Sequence, residues 1–247
     1  MGCGDGEVVS VEETPIKKPV AGQVVFPTQV GDSTKPILTQ KKSVRFCGAI
    51  TSMILTPSGT EVVISTSSCK VFKMTVLTFS HSQILSCPSR PILTASFPVT
   101  SCQLYAVGGE DGVQLWTEDG QLVLHIPPAM PGLAATQVRL SSDGRSVISG
   151  WSDGTVRIYT PETGKLVEEI RNAVTGGQGV TAMAVSGRGD KMVVGGGDGA
   201  VRVWDIGWGT AKLVKTVREH RGKVTAAHIA RDGKQVLTTG GVASAIQ

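Results

Sequence analysis

The stretch Gly197-Asp198-Gly199-Ala200-Val201-Arg202-Val203-Trp204 decides the fold of this chain. It joins small residues, an Asp-Gly pair and an alternation of apolar and polar positions that ends in an aromatic side chain. Asp and Gly tolerate the positive φ angles of tight hairpin turns, and the alternation is typical of a half-buried β-strand. The stretch therefore predicts a hairpin turn followed by a strand.

The same pattern recurs at a nearly constant spacing. Residues 152–159 are a close copy, residues 110–116 a copy one residue shorter, residues 67–74 a weakened copy and residues 4–8 a partial one. The Asp position, which is Ser68 in the weakened copy, falls at residues 5, 68, 111, 153 and 198, at intervals of 63, 43, 42 and 45. A period of about 40–45 residues predicts four-stranded propeller blades of the WD40 type.

Each interval contains the other parts of such a blade. The last complete one offers strands at 180–185, 191–195, 200–204 and 212–217, and the same order fits 49–79, 91–126 and 136–170. We therefore predict an all-β chain with about four complete blades and two half blades. It is either an incomplete propeller or parts of two tandem propellers.

Both half blades lie at the ends of the chain. The chain begins inside one blade, and after Gln235–Gly241 the expected Asp-Gly and aromatic strand do not follow. This pattern indicates a fragment or an incomplete gene model, and pairing of the two halves into a small ring is the alternative. The long first interval holds an insertion at 12–46, rich in Pro and basic residues. It predicts an exposed loop that either contacts a partner or is a tolerated surface insertion.

Composition narrows the possible functions. The 247 residues are 40% hydrophobic, which is enough for a core, and no stretch approaches the roughly 18 unbroken apolar residues of a membrane span. A net charge of +4 does not by itself indicate nucleic-acid binding. The five cysteines are odd in number and form no C-x-x-C pair, which predicts neither a zinc site nor a disulfide framework.

The turn carboxylates are the obvious candidates for catalysis. Asp153 and Asp198 recur once per blade, which favours local turn bonding over chemistry. The four histidines lack metal-ligand spacing, and the Gly-rich runs lead into strands rather than into phosphate-binding helices. We predict no enzymatic activity, no cofactor, no metal and no small-molecule substrate.

Eight residues form the structural signature of the repeats. They are Asp5, Asp111, Trp116, Asp153, Tyr159, Asp198, Trp204 and His220. In WD40 blades a His at the position of His220 bonds the turn Asp and a strand Ser or Thr. Because its own blade lacks the Asp and the aromatic residue, we expect His220 to lose this network. The preceding blade has Val174 near the corresponding place, which predicts a weakened network there too.

A basic patch follows the fourth complete blade. Residues 212–234 carry a net charge of +5, and the residues that we select from it as a candidate partner contact are Lys212, Lys215, Arg218, Arg221 and Lys223. Such a patch attracts an acidic partner, or it is a solvated outer edge. It lacks the aromatic residues on which single-stranded nucleic acid stacks.

Several stretches in order carry a family resemblance. They are Val147–Gly154, Thr160–Leu166, Arg171–Ala173, Gly179–Ala182, Gly195–Trp204, Ile206-Gly207 and Glu219-His220. The order resembles the cilia- and flagella-associated protein 52 family, WD-repeat proteins of motile axonemes. The resemblance is specific over about 97–240 and weaker over 49–79, and the 12–46 insertion departs from the pattern.

The resemblance implies a function and a domain arrangement. Family members have two tandem propellers and lie as microtubule inner proteins in axonemal doublets, where they contact tubulin and other inner proteins. Residues 1–86 would then be the end of a first propeller and residues 87–247 the start of a second one, truncated at its C-terminus, with a linker near 86–91. Localisation would be the axoneme of the cilium or flagellum, with neither nucleic acid nor membrane as a partner.

Two other functional classes remain open. The first is a cytosolic WD40 adaptor, such as a ubiquitin-ligase receptor or a signalling scaffold, which would be found in the cytoplasm. The second is a propeller hydrolase, which needs a central constellation of acids or a metal. The sequence shows no such set of residues.

Overall fold

Every regular element in the described part of the chain is a β-strand. The computed structural model describes residues 9–10, 42–56, 58–86, 92–96, 104–117, 119–207, 209–230, 233–241 and 244–246. The chain divides into two units, Met1–Cys47 and Gly48–Gln247. In the first unit, β1 (Val9–Ser10) pairs antiparallel with β2 (Lys42–Ser43). Asp5 and residues 12–41 of the insertion lie outside the described residues.

The described residues of the second unit form five antiparallel sheets, which we number blades I to V in chain order. Consecutive strands are hydrogen-bonded neighbours in every blade. The strands of blades I and II are β3 (Ile50–Leu55), β4 (Glu61–Thr66), β5 (Lys70–Thr75), β6 (His81–Ser86), β7 (Ile92–Ser96), β8 (Leu104–Gly109), β9 (Gly112–Thr117) and β10 (Leu122–Ile126).

Blades III to V continue the same order. Their strands are β11 (Ala135–Leu140), β12 (Val147–Trp151), β13 (Val156–Tyr159), β14 (Leu166–Ile170), β15 (Val180–Val185), β16 (Lys191–Gly196), β17 (Val201–Gly207), β18 (Thr210–Val217), β19 (Val224–Ile229), β20 (Val236–Gly240) and β21 (Ser244–Ile246). The first strands of all five blades line one shared cavity, so the blades fan out around a common axis. The predicted all-β blade architecture is confirmed.

Two strand predictions were incomplete. The fourth strand of blade I, His81–Ser86, lies beyond the predicted limit of 79. Blade V has a third strand, β21, which pairs antiparallel with β20, although the sequence there lacks the Asp-Gly and aromatic signature. Backbone pairing needs only N–H and C=O groups, so a strand can form without the signature residues.

The hairpin between the first two strands of a blade has one recurring geometry. In blade III the Gly144 N–H donates to the Ser141 carbonyl at 3.0 Å, and the Ser141 N–H donates to the Ser146 carbonyl at 2.9 Å. Gly144 has a φ of +70°, which a residue with a side chain rarely adopts. The Ser141 hydroxyl also accepts the Ser146 N–H at 2.9 Å. These bonds hold the turn in the register that the blade requires.

Glycine allows neighbouring blades to approach closely. A Cβ added to Gly150 in β12 would lie 2.5 Å from Val180 Cγ1 in blade IV, and one added to Gly195 in β16 would lie 2.5 Å from Val224 Cγ1 in blade V. Val180 and Val224 are buried. In blades III and IV the repeat therefore places a glycine where the first strand of the next blade packs.

Blades I and II share one hydrophobic cluster. Val63 and Val71 of blade I pack in the same cluster as Ile92, Tyr105 and Val107 of blade II. Residues 87–91, where the sequence suggested a linker, lie outside the described residues. The division into propellers at 1–86 and 87–247 stays a prediction, and within the described residues these two blades pack as neighbours.

The described residues include one disulfide-bonded cysteine, which does not amount to a disulfide framework. Cys47 is disulfide-bonded, whereas Cys69 has a free thiol. An odd count and the lack of C-x-x-C argue against a framework but do not prevent a single pair. Nothing in the described chain forms a helix that is long and apolar enough to cross a bilayer.

Candidate functional site

Asp153 is part of an ion-pair network in blade III. Its Oδ1 accepts hydrogen bonds from the backbone N–H and the hydroxyl of Thr155, at 2.9 and 2.7 Å. Its Oδ2 accepts from Arg157 Nη2 at 3.1 Å, and Arg157 Nε donates to Glu169 Oε1 at 3.1 Å. Hydrogen bonds from Arg171 and Arg157 lower the pKa of Glu169. The carboxylate thus holds its own turn and anchors an arginine.

Arg157 also packs against an indole. Its guanidinium carbon lies 4.9 Å from the ring centroid of Trp151, a cation–π distance. Trp151 is fully buried, and its Nε1 donates to Ser149 Oγ at 2.8 Å. Tyr159 is buried in the same blade, and burial raises the pKa of its phenol. These bonds and contacts connect the middle strands of blade III through their side chains.

Asp198 is part of the corresponding network in blade IV. Its Oδ1 accepts from the Ala200 N–H at 3.1 Å, and its Oδ2 accepts from Arg202 Nη2 at 2.6 Å and Thr175 Oγ1 at 2.9 Å. Burial raises the pKa of Asp198, but the bonds from Arg202, Thr175 and Ala200 outweigh it and hold the pKa below the ordinary value. The network that Val174 was expected to weaken is formed instead by its neighbour Thr175 together with Arg202.

Trp204 differs from its counterparts in the repeat. Its Nε1 is buried and has no hydrogen-bond partner in the described chain. The strand position that holds Ser149 in blade III holds Val194 in blade IV, as the register of the first two strands shows. In blade III the hydroxyl at this position accepts from Trp151, whose repeat counterpart in blade IV is Gly196.

Blade II uses a shorter network. The carbonyl oxygen of Asp111 lies 2.8 Å from His125 Nε2, and Trp116 Nε1 donates to Gln114 Oε1 at 3.1 Å. Gln114 takes the repeat position of Arg157 and Arg202. Blade II therefore has no guanidinium at the centre of its signature. The remaining carboxylate of the signature, Asp5, lies outside the described residues.

His220 keeps part of the network that the sequence predicted it would lose. It is buried, and its Nε2 lies 2.9 Å from Thr238 Oγ1 in β20. The histidine-to-strand contact needs only a hydroxyl on the second strand, which blade V retains. The expectation that His220 loses its bonds was therefore wrong for the strand partner.

Sequence reasoning missed the central role of Arg157 and Arg202. Each lies four residues after its turn carboxylate and forms an ion pair with it, at 3.1 and 2.6 Å. Both arginines are buried. The signal that could have found them is their recurrence at one repeat position on the core side of a strand. Arginine on a half-buried strand is otherwise read as solvent-facing.

The basic patch is exposed, and a β-bulge shapes it. Lys212, Lys215, Arg218, Arg221 and Lys223 are all exposed. In the register of β17 and β18, Lys212 lies opposite Asp205 and Lys215 lies opposite Val203, because the register shifts by one residue at Val214. Side chains alternate along a regular strand, but the extra residue brings both lysines to the same face of β18. The remaining three cations follow in the connection to blade V.

The signature carboxylates do not converge on a catalytic centre. Asp153 and Asp198 each bond within their own blade or its loop, as described above. Across the described residues, no group of three or more His, Cys, Asp or Glu side chains could hold a metal ion. The arrangement positions strands and turns rather than reacting atoms.

Comparisons with known proteins agree with this geometry. The family described as the anaphase-promoting complex subunit 4 WD40 domain matches residues 100–176, and the WD domain, G-beta repeat matches residues 168–205. Both matches fall on the blades whose turns carry the Asp-Gly signature. Residues 100–205 are thus similar to WD40 repeats. The blades are the repeat units that the 42–45-residue spacing indicated.

Curated relatives of the chain share one name. Cilia- and flagella-associated protein 52 of Homo sapiens is 31% identical over 219 residues, which cover 88% of this chain and 34% of the relative. The protein of that name from Bos taurus is 30% identical, and the one from Chlamydomonas reinhardtii is 28% identical over 81% of this chain. The resemblance found in the sequence is confirmed. The chain spans about one third of the length of these relatives.

Proposed function

We propose that this chain is part of a structural scaffold of motile cilia and flagella. It acts as a microtubule inner protein that stabilises the wall of axonemal doublets through protein contacts, and it has no catalytic role. The observation that carries the proposal is the similarity to cilia- and flagella-associated protein 52, over 88% of the chain for the Homo sapiens relative and 81% for the Chlamydomonas reinhardtii relative. Tubulin and other axonemal inner proteins are the proposed partners.

The construction of the blades supports a scaffolding role. Ion pairs join strands and turns within a blade, whereas close glycine contacts and threonine hydrogen bonds join one blade to the next, which favours a rigid body. Several weak contacts on one rigid body add up through avidity, because the first contact raises the effective concentration of the others. WD40 repeats indicate binding to proteins, and this geometry suits simultaneous contacts with several of them.

The basic patch is the proposed contact with an acidic axonemal surface. Lys212 and Lys215 share a face of β18, and Arg218 follows directly after the strand. Exposed cations of this kind steer an acidic partner and strengthen its binding at low salt. We expect charge reversal at these three residues to weaken incorporation into axonemes.

Fractionation tests the proposal. A tagged full-length gene product is expressed in cells with motile cilia, and detergent-extracted axonemes are washed with high salt before blotting. Retention on the washed doublets is expected, and complete release into the soluble fraction would contradict the proposal. Replacing Lys212, Lys215 and Arg218 with Glu should reduce the retained fraction, whereas Glu at the exposed Arg145, Lys165 and Arg188 should not.

A cytosolic WD40 adaptor is the second candidate. The match of residues 100–176 to a WD40 domain named for a subunit of the anaphase-promoting complex favours it. An adaptor would co-purify with a soluble complex in cells that build no cilia. The same fractionation separates the two proposals, because only the scaffold stays with salt-washed doublets.

A further inference from the structure

The first strands of the five blades enclose a cavity on the common axis. Its volume is about 180 Å³. The residues that line it come from β3, β7, β11, β15 and β19, and most are small, apolar or neutral polar. Thr51, Thr94 and Thr181 are among them. The cavity therefore belongs to the whole fan of blades rather than to a single repeat.

Arg139 of β11 is the charged residue among the side chains that line the cavity. Its Nη1 donates to the Val138 carbonyl at 2.7 Å. No carboxylate in the described part of the chain forms an ion pair with Arg139, in contrast with the paired Arg157 and Arg202. Burial lowers the pKa of Arg139 from its ordinary value, yet an arginine guanidinium stays protonated in proteins. A cation with unused N–H donors therefore lies at the axis.

An anion would stabilise this arrangement. Arg139 is half-buried, and a guanidinium paired with a carboxylate forms strong, charge-assisted hydrogen bonds. The neighbouring Gln137 does not neutralise the charge of Arg139, because an amide carries no charge and the Gln137 Nε2 already donates to the Thr181 carbonyl at 3.2 Å. An anion that enters the cavity would meet a donor that is already in position.

The size of the cavity limits what can enter. Sites for drug-sized molecules measure about 300–1,000 Å³, so a cavity of about 180 Å³ suits one side chain better than a free cofactor. We propose that the axial cavity binds the carboxylate of an acidic side chain from a partner protein, with Arg139 as the residue that pairs with it. The inference goes beyond the proposed function, because it applies wherever the protein resides.

Peptide binding tests this proposal on the full 247-residue chain. The probe is the capped peptide Gly-Gly-Glu-Gly-Gly, and the matched control carries Gln in place of Glu. The Glu peptide should bind at least tenfold more tightly by calorimetry and should shift the Arg139 Nε–H resonance. Added salt should weaken its binding. Equal affinity for the two peptides would overturn the proposal.

Variants of the protein provide a second test of the proposal. Arg139→Gln should reduce affinity for the Glu peptide at least tenfold, and R188Q, at an exposed hairpin, should leave it unchanged. R139Q and R139M should leave the thermal midpoint nearly unchanged, because a half-buried cation without an ion pair contributes little to stability. Unfolding of both variants would assign Arg139 a structural role and overturn the proposal. Binding of inorganic phosphate without binding of the Glu peptide would also overturn it, in favour of a free anion.

Failure here is distinguishable from failure of the proposed function. The peptide assay uses purified protein and does not depend on cilia. Retention on doublets depends on the whole gene product and on its exposed surfaces. Either result can therefore be positive while the other is negative.

Discussion

The hydroxyl of Thr181 donates a hydrogen bond to the carbonyl oxygen of Val224, 43 residues further along the chain and in the next blade. Thr136 bonds the carbonyl of Val180 in the same way, at 2.6 Å and across 44 residues. Both threonines lie on the first strand of their blades, next to the axis. The repeat period is therefore also the spacing of hydrogen bonds that join each blade to its neighbour.

Removing one of these hydroxyls should weaken the joint between blades IV and V. Thr181→Val keeps the shape of the side chain but leaves the Val224 carbonyl without this donor. We expect the free energy of unfolding to fall by about 1 kcal/mol, the usual contribution of one such bond. Urea denaturation followed by tryptophan fluorescence measures the loss. Thr216→Val on the exposed edge strand β18 is the control and should change stability by less than about 0.5 kcal/mol.

The repeat made the strands predictable, but it did not reveal the contacts between blades. The spacing of Asp111, Asp153 and Asp198 was sufficient to predict blades and turns, because turn chemistry is local. The Thr181–Val224 bond joins residues whose proximity depends on how blades stack around the axis. The sequence of one blade contains no information about the distance to the next.

In the candidate site, as in the fold, the positions along the strands could be predicted from the sequence but the side-chain contacts could not. The positions of Trp116 and Tyr159 follow from strand alternation. The pairing of Arg202 with Asp198, and the bulge that brings Lys212 and Lys215 to one face, depend on side-chain packing and on a register shift. The bulge leaves no periodic trace in the sequence, and the recurrence of Arg157 and Arg202 does not by itself show that these arginines are buried. Thr238 keeps a contact with His220 although the signature of that blade is missing.

The contact between Gly150 and Val180 should not tolerate a methyl group. A Cβ at Gly150 would lie 2.5 Å from Val180 Cγ1, in a buried interface between blades III and IV. We expect Gly150→Ala to lower the free energy of unfolding by about 1–3 kcal/mol, the range for overpacked cores. Combining it with Val180→Ala should cost less than the sum of the two single changes. Strict additivity in the double-mutant cycle would contradict a direct clash.

Cys69 is expected to strain its hairpin. It takes the turn position that Gly154 and Gly199 hold in other blades, and its φ of +63° is unfavourable for a residue with a Cβ. Cys69→Gly should raise the free energy of unfolding by about 0.5–1 kcal/mol, because relief of strain exceeds the added entropy of the unfolded chain. Thermal denaturation under reducing conditions measures the change. A lower midpoint for C69G would show that the thiol contributes packing that outweighs the strain.

The reverse substitution in blade III, Gly154→Ala, should strongly lower the free energy of unfolding. A Cβ at Gly154 would lie 2.6 Å from the carbonyl oxygen of Gln178 and 2.7 Å from that of Val174. Gly154→Ala therefore combines backbone strain with a steric clash against main-chain atoms. It contrasts with C69G at the equivalent repeat position, because one substitution adds a Cβ to the turn and the other removes it.

Stability should fall in mild acid because of Asp198. The pKa of Asp198 is lower in the folded protein than in the unfolded chain. Its contribution to the free energy of unfolding is therefore fully present above the unfolded pKa, near 4, and is lost as the pH falls through the folded pKa. The Asn variant, D198N, should be less stable at pH 7 and should show a shallower loss between about pH 5 and pH 3. Urea titrations across this range measure the slope. Identical slopes for D198N and the unchanged chain would contradict the assignment.

The first strand of blade I presents an uncovered apolar face. Ile50 and Met53 of β3 are 53% and 64% exposed, whereas their counterparts in blade IV, Val180 and Met183, are each 1% exposed. The register with the second strand makes these positions equivalent. Apolar side chains that are buried between neighbours elsewhere in the fan thus face solvent at β3.

Equivalent substitutions at the two methionines should therefore behave differently. Met53→Lys should change the free energy of unfolding by less than about 0.5 kcal/mol and should reduce self-association in sedimentation experiments, because it breaks an exposed apolar patch. Met183→Lys places a charge in a packed interface and should cost about 3 kcal/mol or more. If M53K destabilises the chain as strongly as M183K, the face of β3 is covered in solution, by another part of this chain or by a second copy. Sedimentation at two protein concentrations separates those two cases, because only pairing between copies depends on concentration.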